Sequence, residues 1–308
     1  MYKRIEDYIC YTRLIRSAIA RQILSNCDIH LDTCSLRTNI LVNKSNHIGT
    51  SELNKWLNAA YPNKFVTTKY NSLKYTTHRM FVEKGQLNPI TLSNPQILEA
   101  ITSRYNDGKI YEIDWKCHEY TILKGLFPIL KNYPDDIHTE VSNILKCSRS
   151  EAKQIDSLLL YGDDNEVVNW FNTSTYDEIG WLYDLIRPIR IEISEYIDSQ
   201  FETYIKSGYV INLYGRKIYP KSKRNIFNNI VQSIGVELLV ETIIKLHNLF
   251  GMTDGYNLLF HRFDALYFDL ESDILINKII STMENIDPRF NLKVNIKSGD
   301  NLREIKES

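Results

Sequence analysis

No run of apolar residues in this sequence is long enough to cross a bilayer, and the N-terminus has no apolar core of a secretory leader, so no membrane partner is expected. Cysteine is scarce and odd in number. Cys10, Cys27, Cys34, Cys117 and Cys147 contain no Cys-x-x-Cys pair, which argues against a disulfide framework or a zinc site and for reduced thiols in a cytoplasmic setting. Neither sign of charge dominates: 37 Lys and Arg stand against 38 Asp and Glu, so any polyanionic partner must be recognised by local clusters. Internal repeats and low-complexity linkers are also missing. What remains is a chain of 308 residues, 43% hydrophobic, able to bury one large core or two small ones. Its 20 tyrosines suit amphipathic core positions, with base stacking as the alternative use.

The stretch from Ile110 to Lys124 organises the rest. Ile110, Tyr111 and Ile113 read as a buried strand that ends at Asp114 and Trp115, and helical spacing follows from Glu119. A carboxylate at the end of a core strand either caps the next helix or meets a cation, commonly a divalent metal. Helices are expected over 5–26, from Thr33 to Val42, from Gly49 to Leu57 and up to about Tyr105. Beyond Lys124 they are expected from Asp136 to Leu145, Arg149 to Leu160, Asp177 to Ser207, Asn225 to Phe250 and Asp273 to Asn285. Residues 62–78 are polar and turn-like, Gly208 to Gly215 reads as a hairpin, and strands are expected at Asn257–Phe260, Ala265–Leu270 and Leu292–Ile296. A sheet interrupted by a large helical insertion and then resumed reads as α+β.

Three groups could act together. Asp114 and Asp264 each sit at a strand end or hairpin turn, and two such carboxylates brought together would bind paired Mg²⁺ for phosphoryl transfer. On one helix, Arg149 and Lys153 share a face with Asp156 or Ser157 and Leu160 or Tyr161; that suits a triphosphate with a base stacked beyond it, or else a solvated face beside a core tyrosine. Arg216, Lys217, Lys221, Lys223 and Arg224, interleaved with Tyr219, suit a nucleic-acid backbone or a solvated loop.

The order of these pieces resembles DNA polymerase family A, the bacterial DNA polymerase I type. Asp114-Trp-Lys-Cys-His-Glu119 is similar to its motif A, Asp136-Ile-His-Thr to its next signature, and Arg149-x-x-x-Lys153 with Tyr161-Gly162 to the fingers helix. Gly208-Tyr-Val through Gly215-Arg216 and Arg224 through Gln232 resemble further segments, and Phe263-Asp264-Ala265 stands where motif C has His-Asp-Glu. Residues 26–32, 46–53, His78-Arg79, Leu87–Ile90 and 292–302 extend the resemblance over nearly the whole chain. It implies a right-hand polymerase fold with an antiparallel palm sheet, a helical fingers insertion and a vestigial thumb. The segments would be 1–36 palm, 37–77 reduced thumb, 78–126 palm, 127–207 fingers and 208–308 palm. It further implies template-directed DNA synthesis from dNTPs with two Mg²⁺ ions, Mn²⁺ being a substitute.

The roles that the resemblance carries over are specific. Asp114, Asp264 and the Trp115 carbonyl would hold metal, with Lys153 a further catalytic group. Arg149, Lys153 and His138 would grip the triphosphate, and Glu119 with Tyr161 would exclude a ribose 2′-hydroxyl. Arg79, Arg216, Arg224, Asn228 and Gln232 would hold primer–template DNA. Motif C lacks its His and Glu, Ser157 replaces an aromatic, and little room remains for a thumb. No proofreading domain is expected, synthesis should be distributive unless a processivity or replisome protein assists, and a viral or phage source, acting in the host cytoplasm, would suit so compact an enzyme. The alternatives are a non-catalytic nucleic-acid-binding subunit on a polymerase-like fold and an RNA-making relative, the latter disfavoured by Glu119.

Overall fold

A computed structural model describes residues 2–72, 76–162, 164–174 and 179–307. The chain runs α1 (Tyr2–Asn26), β1 (Asp28–His30), α2 (Thr33–Ser45), α3 (Ser51–Ala60), β2 (Phe65–Thr67), β3 (Tyr70–Asn71), β4 (Phe81–Val82), α4 (Pro95–Ala100), β5 (Lys109–Trp115) and α5 (His118–Leu126). It continues through α6 (Ile137–Leu145), α7 (Arg149–Tyr161), α8 (Asp164–Thr173), α9 (Ile179–Ser207), β6 (Val210–Ile211), β7 (Lys217–Ile218) and α10 (Asn225–Phe250). The last elements are β8 (Tyr256–Arg262), β9 (Ala265–Leu270), α11 (Ile276–Glu284), β10 (Val294–Gly299) and β11 (Lys306–Glu307). Among the described residues, no helix is long and apolar enough to cross a membrane.

Contacts divide the chain into two compact units. One holds residues 14–115, 236–288 and 292–308; the other holds 1–13, 116–235 and 289–291. The first is built on a five-stranded sheet of order β11-β10-β5-β9-β8 with antiparallel neighbours, so it needs no crossover helices within it. β9 is buried at every position, which its Ala-Leu-Tyr-Phe-Asp-Leu sequence permits because its one charge is paired internally. The core under the sheet joins Ile110, Phe260 and Tyr267 to Leu36 and Ile40 of α2 and to Leu53 and Trp56 of α3. Residues 37–72 thus share a core with the strands, and 73–75 lie outside the described residues.

The β8–β9 ladder has an irregularity that matters below. Tyr256 to Leu258 pair with Leu270 to Phe268, after which Phe260 to Arg262 pair with Tyr267 to Ala265, so Leu259 is an extra residue in β8. The turn between the strands is then two residues, Phe263 and Asp264, with Phe263 at φ 57°.

The second unit is mainly helical. Asp136 caps α6 by accepting from the Thr139 amide at 3.1 Å, and Ser148 caps α7 by accepting from the Glu151 amide at 3.2 Å. Arg190 of α9 donates to the carbonyls of Leu159 (2.7 Å) and Gly162 (3.2 Å), satisfying the open C-terminal end of α7. Phe127, Tyr161, Tyr196 and Phe227 form an aromatic cluster with ring centroids 5.4–5.9 Å apart.

Three sequence expectations need correction. The helix expected up to Tyr105 ends at Ala100, because Ile101 and Thr102 bridge instead to Leu31 and Asn301. α8 is a further helix where none was expected. The helix expected from Asp273 opens as a 3₁₀ turn and becomes α-helical at Ile276. The expected start of the long helix at Asp177 lies outside the described residues.

Candidate functional residues: an aspartate pair in one unit, a cationic helix face in the other

In the sheet unit, the β5–β9 register runs from Lys109↔Leu270 to Ile113↔Leu266. Continued by one pair it sets Asp114 opposite Ala265, so Asp114 and the turn residue Asp264 lie at the same end of adjacent strands. Both are half-buried. Alternation puts Asp114 on the same face as Glu112, which accepts from Tyr267 (2.5 Å) and Lys297 (2.6 Å). Arg262 lies over the Tyr267 ring at 5.7 Å and donates to the Leu92 carbonyl at 3.0 Å. Negative charge at this end is thus offset by two cations. The Trp115 side chain is buried, its indole donating to the Met283 carbonyl at 3.2 Å. Arg79 is exposed and stands 5.5 Å from the Phe263 ring.

Among the described residues, no group of three or more His, Cys, Asp or Glu gathers to hold a metal ion. Two aspartates nevertheless fit Mg²⁺, which keeps waters and takes one or two carboxylates together with substrate phosphates rather than a full protein cage.

In the helical unit, Cys117 takes a left-handed conformation (φ 44°) that turns the chain into α5. Ala152, Ile155, Asp156, Leu159 and Leu160 bury one side of α7, so Arg149, Lys153 and Ser157 share the exposed side at i, i+4 and i+8. The Arg149 guanidinium sits on the Asp136 carboxylate at 3.1–3.2 Å and lies 3.6 Å from the Cys117 sulfur. Burial works to raise the Asp136 carboxyl, but hydrogen bonds from Thr139 and the charge of Arg149 outweigh it and hold it low. Burial, followed by the charge of Asp136, pushes the Cys117 thiol up to about 11, so it is a thiol rather than a thiolate at neutral pH. The Tyr161 ring packs 5.4 Å from Phe227, and burial, reinforced by the carboxylate and hydrogen bond of Glu119, holds its phenol well above the ordinary value.

His138 bonds through Nδ1 to Asp156, a residue that the sequence analysis placed only as one option on the cationic stripe. Asp156 lies inside, 2% exposed. The available signal was a charge between Ile155 and Leu159 on the apolar face of an amphipathic helix.

The basic loop is corrected most. Arg216 is fully buried and donates to the Arg13 carbonyl at 3.2 Å, while Asn212 accepts from its amide at 3.0 Å. A side chain with no exposure does not present charge to a DNA backbone, so Arg216 is a structural arginine of the hairpin. Lys217 pairs with Asp7, Lys223 with Asp198, and Arg224 with Glu166 at 2.9 Å. The loop is therefore largely neutralised by its own unit. Asn228 and Gln232 share a face of α10 at i and i+4 and are half-buried, while the exposed Arg224 lies in the turn just before the helix.

No family model and no curated protein sequence matches the chain. Among solved structures, the chain is similar to the polymerase domain of Pol1 from M. smegmatis, determined in complex with DNA primer–template and dNTP. The TM-score is 0.64 at 15% sequence identity, over 86% of this chain and 53% of that one, so the chain spans about half of that structure's length. The fold of the chain is therefore a polymerase-like one, of mixed helix and sheet.

Proposed function

We propose that the chain is a minimal family A DNA-directed DNA polymerase, a nucleotidyltransferase that extends a primer 3′-hydroxyl from dNTPs. The observation that carries the reading is the strand register that sets Asp114 and Asp264 at one end of the sheet, in a polymerase-like fold. Two Mg²⁺ ions, held by Asp114, Asp264 and the Trp115 carbonyl, would lower the pKa of the primer hydroxyl and neutralise the leaving pyrophosphate. Arg149 would exchange Asp136 for phosphate oxygens, a swap between two anions that keeps its charge compensated throughout. Lys153 and His138 would bind the same triphosphate. Glu119 and Tyr161 would close the sugar pocket to a 2′-hydroxyl, and Arg79, Arg224, Asn228 and Gln232 would hold primer–template. In this reading the sheet is the palm, residues 127–207 the fingers and 37–77 a reduced thumb. So small a thumb implies distributive synthesis unless a processivity protein assists.

One observation favours a second reading, a non-catalytic nucleic-acid-binding subunit: Ala265 provides no third carboxylate beside Asp264. Primer extension with Mg²⁺ and dNTPs separates the two. The polymerase reading expects extension by wild type and its loss in Asp114→Asn; extension unaffected by that substitution would refute it. DNA binding without any Mg²⁺-dependent synthesis would establish the second reading.

A further inference from the structure

α7 carries one charge on its buried side. Asp156 lies between Ile155 and the Leu159–Leu160 pair, 2% exposed, in a position where the helix otherwise packs only apolar groups. One carboxyl oxygen accepts the Nδ1 proton of His138, which stands two residues past the N-cap of α6; the other oxygen is buried with no hydrogen-bond partner among the described residues. A buried carboxylate is expensive to keep when an asparagine amide would hold the same ring. What the amide lacks is charge. A carboxylate on Nδ1 fixes the tautomer and raises the affinity of Nε2 for a proton, as it does where such a pair orients a catalytic or metal-binding imidazole.

The other ionisable groups around the pair are Asp136 and Arg149, whose charges act on Asp156 in opposite directions, together with the Tyr120 phenol and the Cys147 thiol. Burial raises the Asp156 carboxyl, and His138 pulls it back. The ring retains 14% exposure, so Nε2 remains the nitrogen available to a ligand.

We propose that Asp156 is a positioning residue that holds His138 as a proton-accepting phosphate ligand, so that a nucleoside triphosphate binds together with a proton. This rests on the polymerase reading, in which His138 meets the triphosphate. The anion would arrive at a neutral imidazole backed by a carboxylate. Protonation at Nε2 then creates an imidazolium lying between Asp156 and the phosphates, and one N–H···O bond to phosphate forms at the expense of a proton taken from solvent.

Calorimetric titration of dATP with Mg²⁺ into the full chain tests this, in two buffers of different ionisation heat at pH 6, 7 and 8. Wild type should take up a fraction of a proton at pH 7 and above. Asp156→Asn should take up none and bind about tenfold more weakly at pH 8, with the gap closing toward pH 6, where a histidine is protonated without help. Asp156→Glu should restore part of the uptake. At pH 8 His138→Gln should match Asp156→Asn and combining the two should weaken binding no further, whereas at pH 6 His138→Gln, with no imidazole to protonate, should stay weak. A variant weakened equally at every pH, with proton uptake as in wild type, would show Asp156 to be structural and overturn the proposal. Wild-type binding without proton uptake would overturn it too while leaving the polymerase reading intact, since primer extension decides that reading separately. Failure of wild type to bind dATP would overturn the proposal, and primer extension would still decide the polymerase reading.

Discussion

Asp269 offers a direct measure of how the sheet beside Asp264 is held. Its carboxylate is 0% exposed and accepts from Ser103 Oγ (2.5 Å), the Arg104 amide (3.0 Å) and Arg104 Nε (3.1 Å). Asp269→Ala takes the acceptor from all three donors at once. Each buried donor left unpaired costs about 1–3 kcal/mol, and breaking one side of a buried ion pair costs about 3–5 kcal/mol. Arg104 is 21% exposed and keeps Asp28 at 2.5 Å, so its guanidinium recovers part of the loss. The expectation is therefore about 3 kcal/mol. The exposed pair Arg303–Glu99 is the control: it is as short, at 2.8 Å, but its side chains are 54% and 45% exposed. Glu99→Ala should change stability by less than about 1 kcal/mol. Urea denaturation of the full chain reads both, as a shift in midpoint at unchanged slope. If Asp269→Ala lost less than about 1 kcal/mol, or no more than Glu99→Ala, burial would not be what gives the Asp269 network its weight.

Three further outcomes are expected. Glu119→Ala should raise ribonucleotide incorporation about 10- to 100-fold in a competition between rNTP and dNTP, because a pocket that rejects a substrate by contact loses about that much when the contact goes; unchanged discrimination would remove Glu119 from the sugar pocket. Gly125→Ala should destabilise: its Cβ would lie 2.4 and 2.5 Å from two ring carbons of the buried Phe290, and overpacking of about 1–3 kcal/mol exceeds the helix-propensity gain of about 1 kcal/mol. A raised melting temperature would show that the Phe290 ring gives way freely. The third is acid sensitivity. Burial lowers His261 from 6.5 to about 4, so between those values the unfolded chain binds a proton that the folded chain refuses. The stability it contributes is complete above pH 6.5 and falls by about 3 kcal/mol as pH drops to 4. His261→Gln should flatten that acid limb in denaturation curves taken across the range, and an unchanged limb would assign it to the carboxylates.

How far the sequence could be read depended on whether a feature is local. α7, α10 and β9 declare themselves locally and were expected within a residue or two, α7 by one apolar stripe and α10 and β9 by runs apolar enough to be buried on nearly every side. The helix end at Ala100 was missed because Ile101 and Thr102 take partners 70 and 199 positions away, which no window of sequence contains. The positions of the two aspartates were legible, since Asp114 stands at the end of an apolar strand and Asp264 in the turn between two. Arg216 was misread because it opens a basic run that continues to the exposed Lys221, Lys223 and Arg224, whereas its own side chain is drawn inside by the Arg13 carbonyl from the far N-terminus. Asp156 stood open to view in the α7 pattern, but its partner His138 is on another helix.

The extra residue at Leu259 fixes a matter of parity. Before it, paired positions in β8 and β9 sum to 526, an even number, which admits only turns with an odd number of residues; after it they sum to 527, and a two-residue turn becomes possible. Asp264 owes its place as the second turn residue to that single count. Substitutions along β8 that keep the pattern should leave the aspartate where it is, whereas deleting one residue between Tyr256 and Arg262 would oblige the chain to turn elsewhere. Tolerance to change in this strand is thus a question of length before it is one of chemistry.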